Sequence, residues 1–163
     1  MILGAYTALS YRATVLSFDQ VPPVFAAQEE REALPINQLV IPTLDIRLDI
    51  TPGYIHGGVW SIAKNKVSHL VSSARPSESG NIVMYGHNKR SVLGGLTDIE
   101  LGAVIELTDA SGTLHSYRVE EMHIVTPGQL DLVLPTDQEV LTIFTCTGIF
   151  DQNRLVIRAT PLV

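Results

Sequence analysis

The chain carries one cysteine, Cys146, and five histidines. A cysteine acts as a nucleophile when a neighbour can exchange its proton, a cationic or hydrogen-bonding group can meet the developing oxyanion, and substrate can reach it. Two other residues have contexts that suit those roles. His87 lies in "GNIVMYGHNKR", directly after an apolar strand-like run and after Gly86, whose missing Cβ permits a sharp turn. Arg154 and Arg158 lie in "NRLVIRAT", where Arg154, Val156 and Arg158 share one face and Leu155, Ile157 and Ala159 the other. The remaining histidines read as bystanders. His115 and His123 share parity within one alternating segment, and His56 and His69 fall in loop or short-helix text. Each feature taken singly has a plainer explanation. A lone cysteine in an apolar strand is more often a small core residue, and an arginine on a terminal strand is more often a solvated face.

The elements that must position these residues are mostly strands. β-branched and alternating segments separated by Gly, Pro, Asn and Asp predict strands over 38–42, 44–50, 81–85, 103–108, 114–125, 139–146 and 154–160. "WSIAKNKVSHLVSS" (60–73) and "VLGGLTDIEL" (92–101) read as short helices or turns, and "DASG" (109–112) as a hairpin turn. In "EVLTIFTCT" the alternation sets Val140, Thr142, Phe144 and Cys146 on one face and Leu141, Ile143 and Thr145 on the other. Both faces are largely apolar, which predicts a central strand. Its last residues, Cys146 among them, approach the rim, where a barrel presents a reactive group. Many short strands and few long helices predict an all-β barrel or sandwich.

Composition narrows the function. The 163 residues suit one domain, and the hydrophobic content of 45% is enough for a sizeable core. The net charge of −6 argues against nucleic acid, which needs a basic surface. A single cysteine excludes an internal disulfide framework and a cysteine-rich zinc site. Asp98, Glu100, Glu106 and Asp109 are too scattered for a calcium site, so no metal or other cofactor is expected. Residues 1–36 form a separate segment. Its apolar start, residues 1–11, is shorter than the roughly 20 residues a spanning helix needs, and Arg12 follows. Two readings stand: a helix packed on the domain, or the stub of a membrane anchor followed by a linker. Pro22 and Pro23 break any helix there. The expected domain is then 37–163.

The order of these pieces is more specific than any one of them: strand–Gly–His, a strand ending Thr–Cys 59 residues later, a short loop, then Arg–x–x–x–Arg. This resembles the sortases, cysteine transpeptidases of Gram-positive cell surfaces, over roughly residues 39–162. "LTIFTC" (141–146) resembles the family's TLxTC signature, "GNIVMYGHN" (80–88) its strand and histidine loop, and "LVIPTLDI" (39–46) its first strand. "NRLVIRAT" (153–160) resembles the strand of its essential arginine.

The resemblance implies an eight-stranded β-barrel with a few short helices and an N-terminal helical segment. It implies Cys146 as nucleophile, His87 as general acid/base, Arg154 as the essential arginine with Arg158 as runner-up, and Thr145 as a backbone contributor to oxyanion binding. The implied partners are an LPxTG-like sorting-signal peptide and an amine of a peptidoglycan precursor or a pilin lysine. The implied location is the outer face of the cell membrane. "IVTPGQLDLVLPTDQE" (124–139) is the expected wall of the substrate groove, through Leu130, Leu132, Val133 and Leu134, unless these only pack onto the barrel. The seven residues 147–153 resemble the short connection of compact housekeeping or pilin-independent subclasses. Two other cysteine enzymes fit less well. L,D-transpeptidases set His and Gly just before the cysteine, where Phe144 and Thr145 stand here, and papain-like peptidases place the cysteine before the histidine. The non-enzymatic alternative is a β-barrel binding module with an unreactive, buried Cys146.

Overall fold

The computed structural model describes residues 35–163. The expectations for the segment before Pro35, a packed helix or an anchor stub, lie outside the described residues. Ten strands follow one another: β1 (Ile36–Ile41), β2 (Ile46–Gly53), β3 (Ile55–His56), β4 (Val59–Trp60), β5 (Val67–Leu70), β6 (Asn81–Tyr85), β7 (Val104–Asp109), β8 (Leu114–Val125), β9 (Val140–Thr147) and β10 (Asn153–Pro161). Eight of them close into a barrel in the order β1-β2-β5-β6-β9-β10-β8-β7, and β7 pairs back onto β1. β3 and β4 form a small separate hairpin. Closure removes the unpaired edges that an open sheet would expose. Among the described residues, no helix is long and apolar enough to cross a membrane.

Strand alternation sorts the apolar residues into two clusters. Leu39, Ile82, Met84, Ile105, Leu141, Ile143 and Ile157 point inward and fill the barrel. The connection from β6 to β7 plugs one end of it with Val92, Leu93, Leu96 and Ile99. Residues of opposite parity on β5, β6, β9 and β10, namely Leu70, Val83, Tyr85, Phe144, Cys146 and Val156, form a second cluster on the outer face. Two insertions cover that face. Trp60 comes from β4, and Val133 comes from the β8–β9 connection with half-buried Leu130 and Leu132. β6 and β9 are therefore buried on both sides, which is why their sequences are continuously apolar rather than alternating.

One expected element is corrected. "VSHL" (67–70) lies in text that reads as helix or turn, yet it is strand β5, parallel to β2 and antiparallel to β6. Ser68 and His69 break its apolar pattern, and both are buried. Their polar atoms are met locally: the Ala63 N–H donates to Ser68 Oγ (3.3 Å), and His69 Nε2 lies 3.0 Å from the Ala74 carbonyl. The strand expected at 44–50 begins at Ile46, because Pro42–Leu44 make a 3-10 turn that ends on Asp45 with a left-handed φ of 53°. The 109–112 turn does close a hairpin between β7 and β8. The Asp109 carboxylate accepts the N–H groups of Ser111 (2.9 Å) and Thr113 (3.0 Å), and Gly112 takes a φ of 84°.

Candidate active site

Cys146 is the second-last residue of β9, and β10 runs antiparallel beside it with Arg154 directly opposite. Facing residues in such a pair have Cβ atoms about 5 Å apart on the same side of the sheet. On the other flank β6 runs parallel to β9, with Tyr85 beside Phe144. The contact persists past the end of β6: the Gly86 N–H donates to the Phe144 carbonyl (3.4 Å), and Thr145 Oγ1 donates to the Gly86 carbonyl (2.8 Å). Continuing this register by two residues sets His87 alongside Cys146, across a strand spacing of about 4.8 Å. Paired strands β9 and β10 thus set Cys146 beside Arg154, and the segment that leaves β6 runs on toward them with His87 at one end of the outer face. Arg158 lies four residues further along β10, opposite Thr142, about 13 Å from the level of Cys146. Its Nη1 is 3.7 Å from Glu121, which also meets His123 at 2.8 Å.

Local structure holds each group. The His87 carbonyl accepts the Leu93 N–H (3.1 Å), and the Lys89 carbonyl accepts those of Val92 and Gly94 (both 2.8 Å), folding the histidine loop back on itself. Gly94 is required for this, because a Cβ there would stand 2.6 Å from the carbonyl carbon of Lys89. Arg154 is 5% exposed, and its Nη1 donates to the carbonyls of Asp151 (2.9 Å) and Asn153 (3.0 Å). The β9–β10 connection bends through three left-handed residues, Gly148, Phe150 and Asp151. For Phe150 such a backbone is strained. The arginine therefore secures the loop that carries it back into β10.

Electrostatics favour the neutral form of both Cys146 and His87. Burial pushes the Cys146 thiol up; the Arg154 guanidinium pulls it down and Asp151 adds to the rise. Burial likewise pushes the half-buried His87 imidazole down, Lys89 adds to that, and Asp151 opposes it. The stable pair at neutral pH is a thiol beside an uncharged imidazole.

The other expected residues are distributed as follows. Thr145 points into the barrel and is fully buried, with its hydroxyl holding the turn before His87. Val133 is fully buried in the outer cluster, Leu130 and Leu132 pack half-buried against it, and Leu134 is half-buried with its carbonyl bonded to Asn81. Among the described residues, no group of three or more His, Cys, Asp or Glu could hold a metal ion. Three residues near the site escaped the sequence reading. Asp151 acts on both Cys146 and His87; its place in the short loop between the strands of Cys146 and Arg154 was the available signal. Asn81 and Thr142 share a hydrogen bond beneath the 130–134 segment and carry no signal of this in sequence.

A closed eight-stranded barrel with a cysteine and an arginine on paired strands, and a histidine just past the end of the strand on the other flank, defines a class of β-barrel fold with a candidate cysteine-enzyme site. The comparisons agree on which one: a family model described as "Sortase domain" matches residues 39–162, and the chain belongs to the sortase family. Solved structures of similar fold include a sortase D5 transpeptidase from Clostridium perfringens (22% identity, TM-score 0.69, covering 79% of each chain). Sortase A from Corynebacterium diphtheriae is similar at 22% identity and TM-score 0.69, over 97% of this chain and 82% of that one. Sortase C1 from Streptococcus suis is similar at 21% identity and TM-score 0.68, over 78% and 73%. No curated protein matches the chain.

Proposed function

We propose that this protein is a cysteine transpeptidase that cleaves an LPxTG-like sorting signal and transfers the acyl portion to an amine of the cell wall or of a pilin subunit. Its working location would be the outer face of a Gram-positive cell membrane, held there through the N-terminal segment. The observation that carries the reading is the register of β6, β9 and β10, which supports a His87–Cys146–Arg154 row. Cys146 Sγ, as thiolate, attacks the carbonyl carbon of the scissile peptide. The tetrahedral oxyanion takes hydrogen bonds from the forked N–H groups of Arg154, with the backbone at Thr145 as a further contributor. The C–N bond breaks as the His87 imidazolium protonates the leaving amine, giving a thioacyl-enzyme. An incoming amine then attacks the thioester, His87 accepts its proton, and the thiolate departs. Water in place of the amine gives slow hydrolysis. The Leu130, Leu132, Val133 and Leu134 segment forms one wall for the apolar part of the signal, Leu130 and Leu132 at its surface and Val133 behind.

Because the resting pair is thiol and neutral imidazole, the active pair of thiolate and imidazolium is a minor fraction. Mass spectrometry after mixing the protein with an LPxTG-type peptide and excess triglycine tests the proposal. A peptide–triglycine product or a thioacyl adduct that vanishes in Cys146→Ala is the expected result. No product from LPxTG or from a peptide library, with a Cys146 that resists alkylation in the folded state, would leave only the binding-module reading.

A further inference from the structure

Asn81 opens β6 on the same outer face as Cys146, and only 3% of it is exposed. Three of its hydrogen-bonding positions are filled. Nδ2 donates to the carbonyls of Leu132 and Leu134, both at 2.9 Å, and Oδ1 accepts the hydroxyl of Thr142 at 2.6 Å. Thr142 is fully buried and its hydroxyl reaches a second, weaker acceptor, the Leu132 carbonyl, at 3.5 Å. The hydroxyl orients the amide: with Oδ1 engaged, both amide hydrogens face the two wall carbonyls. The wall has little else to define its backbone. Its 3-10 turn spans only Asp131–Val133 and has no side-chain cap, and one internal bond, Val133 N–H to the Leu130 carbonyl (3.0 Å), closes it. Its position relative to the sheet is set by the buried Val133 side chain, by the half-buried Leu130 and Leu132 packed beside it, and by the Asn81 amide.

The residue type is specific. Aspartate has the same shape but would set an anion against two carbonyl oxygens. Leucine would leave two carbonyls without the donors they now have.

We propose that Asn81, oriented by Thr142, is a positioning residue that sets the substrate wall and thereby selects the apolar residue of the sorting signal furthest from the scissile bond. The inference rests on the transpeptidase reading above. Thr142 is four residues before Cys146 on the same face of β9, about 13 Å away, which is the span of four extended residues. A peptide running along β9 with its scissile carbonyl at Cys146 would place its third preceding residue, the apolar first residue of an LPxTG-like signal, about 10 Å along, at the near edge of the Asn81-held wall. Asn81 thus acts on recognition, far from the bonds that break.

The test compares Thr142→Val, Thr142→Ser and Asn81→Asp in the full chain; Thr142→Val keeps the side-chain shape if the Asn81 variant does not fold. Three quantities are read: KM and kcat for an LPxTG-type peptide with triglycine, hydrogen exchange of the 130–134 amides, and the rate of Cys146 alkylation. Thr142→Val is expected to raise KM about tenfold, the worth of one buried hydrogen bond. It should also speed exchange across 130–134, with kcat and alkylation within about twofold. Thr142→Ser, which keeps the hydroxyl, should restore KM and exchange. Unchanged exchange in Thr142→Val overturns the proposal, as does a KM that stays put while exchange rises, or a loss confined to kcat. A wild-type protein that turns over no peptide sinks the transpeptidase reading and the selection role with it. Exchange at 130–134 then still shows whether Thr142 and Asn81 hold the wall.

Discussion

At the scale of residues, the proposed chemistry turns on Cys146 and His87, each shifted by burial and by two neighbouring charges of opposite sign. Burial raises the Cys146 thiol and lowers the His87 imidazole, so their titrations move apart. The expected kcat/KM profile is a broad bell. Its acid limb falls below the ordinary histidine value of about 6.5, and its alkaline limb above the ordinary cysteine value of about 8.5. A narrow optimum between those values would contradict the assignment of His87 and Cys146. Asp151 raises both groups, so Asp151→Asn should move both limbs toward acid. The shift should be modest because Asp151 is exposed, and it should shrink as salt is added. Asparagine tolerates the left-handed backbone at this position, so the variant tests charge rather than shape. Arg154→Lys keeps the positive charge but loses the fork. It should lower kcat by roughly 10²–10³ while the thiol still alkylates, as measured by peptide turnover beside an iodoacetamide titration.

At the scale of elements, the site depends on how two connections are folded against the sheet. The loop after His87 returns to Lys89 so closely that Gly94 has no room for a side chain. Gly94→Ala should displace the histidine loop and reduce kcat by tenfold or more, with far-ultraviolet circular dichroism unchanged because the barrel strands are not involved. The β3–β4 hairpin contributes Trp60, which packs edge-on against Tyr85 (5.3 Å between ring centroids) and Phe144 (5.8 Å). Phe144 is two residues before Cys146. Trp60→Ala should cost about 3–5 kcal/mol in denaturant unfolding and should raise the alkylation rate of Cys146, since the outer cluster that buries the thiol would open.

At the scale of the whole molecule, the polar groups sealed inside the sheet set the response to pH. His69 is buried on β5 and its pKa is lowered to about 4, chiefly by burial. Its neutral form is the one the fold accepts. In the unfolded chain it takes up a proton near pH 6.5, in the folded chain only near 4, so stability is highest above pH 6.5 and falls as pH drops toward 4. The full effect is about 3 kcal/mol at 1.36 kcal/mol per pKa unit. Thermal unfolding between pH 7 and pH 4.5 should show the loss, and His69→Gln should flatten the slope. An unchanged slope in that variant would mean that carboxylates rather than His69 govern acid sensitivity. Closure of the barrel joins these scales: β9 has neighbours on both edges and packing on both faces, so a change at Thr145 is felt at the turn before His87 and one at Thr142 at the 130–134 segment.

The amino-acid sequence by itself determined most strands, the barrel class and the pieces of the site, because these depend on local patterns. Alternation marked β8 and β10, continuous apolar text marked β6 and β9, and the glycine before His87 marked a strand end. The order of "GHN", "FTC" and "NRLVIR" carried the resemblance to the sortase family, and that resemblance grouped them into one expected constellation. Tertiary structure decided what local pattern does not encode. Register selects Arg154 over Arg158 as the neighbour of Cys146, since the two arginines share parity and differ only in position along β10. Strand β5 was hidden because Ser68 and His69 are satisfied by partners that exist only in the folded chain. The protonation of Cys146 and His87 follows from burial, and the roles of Asp151 and Asn81 follow from which loops the barrel folds against its outer face. These are properties of contacts distant in sequence, 51 and 53 residues apart for the two bonds from Asn81 to the wall.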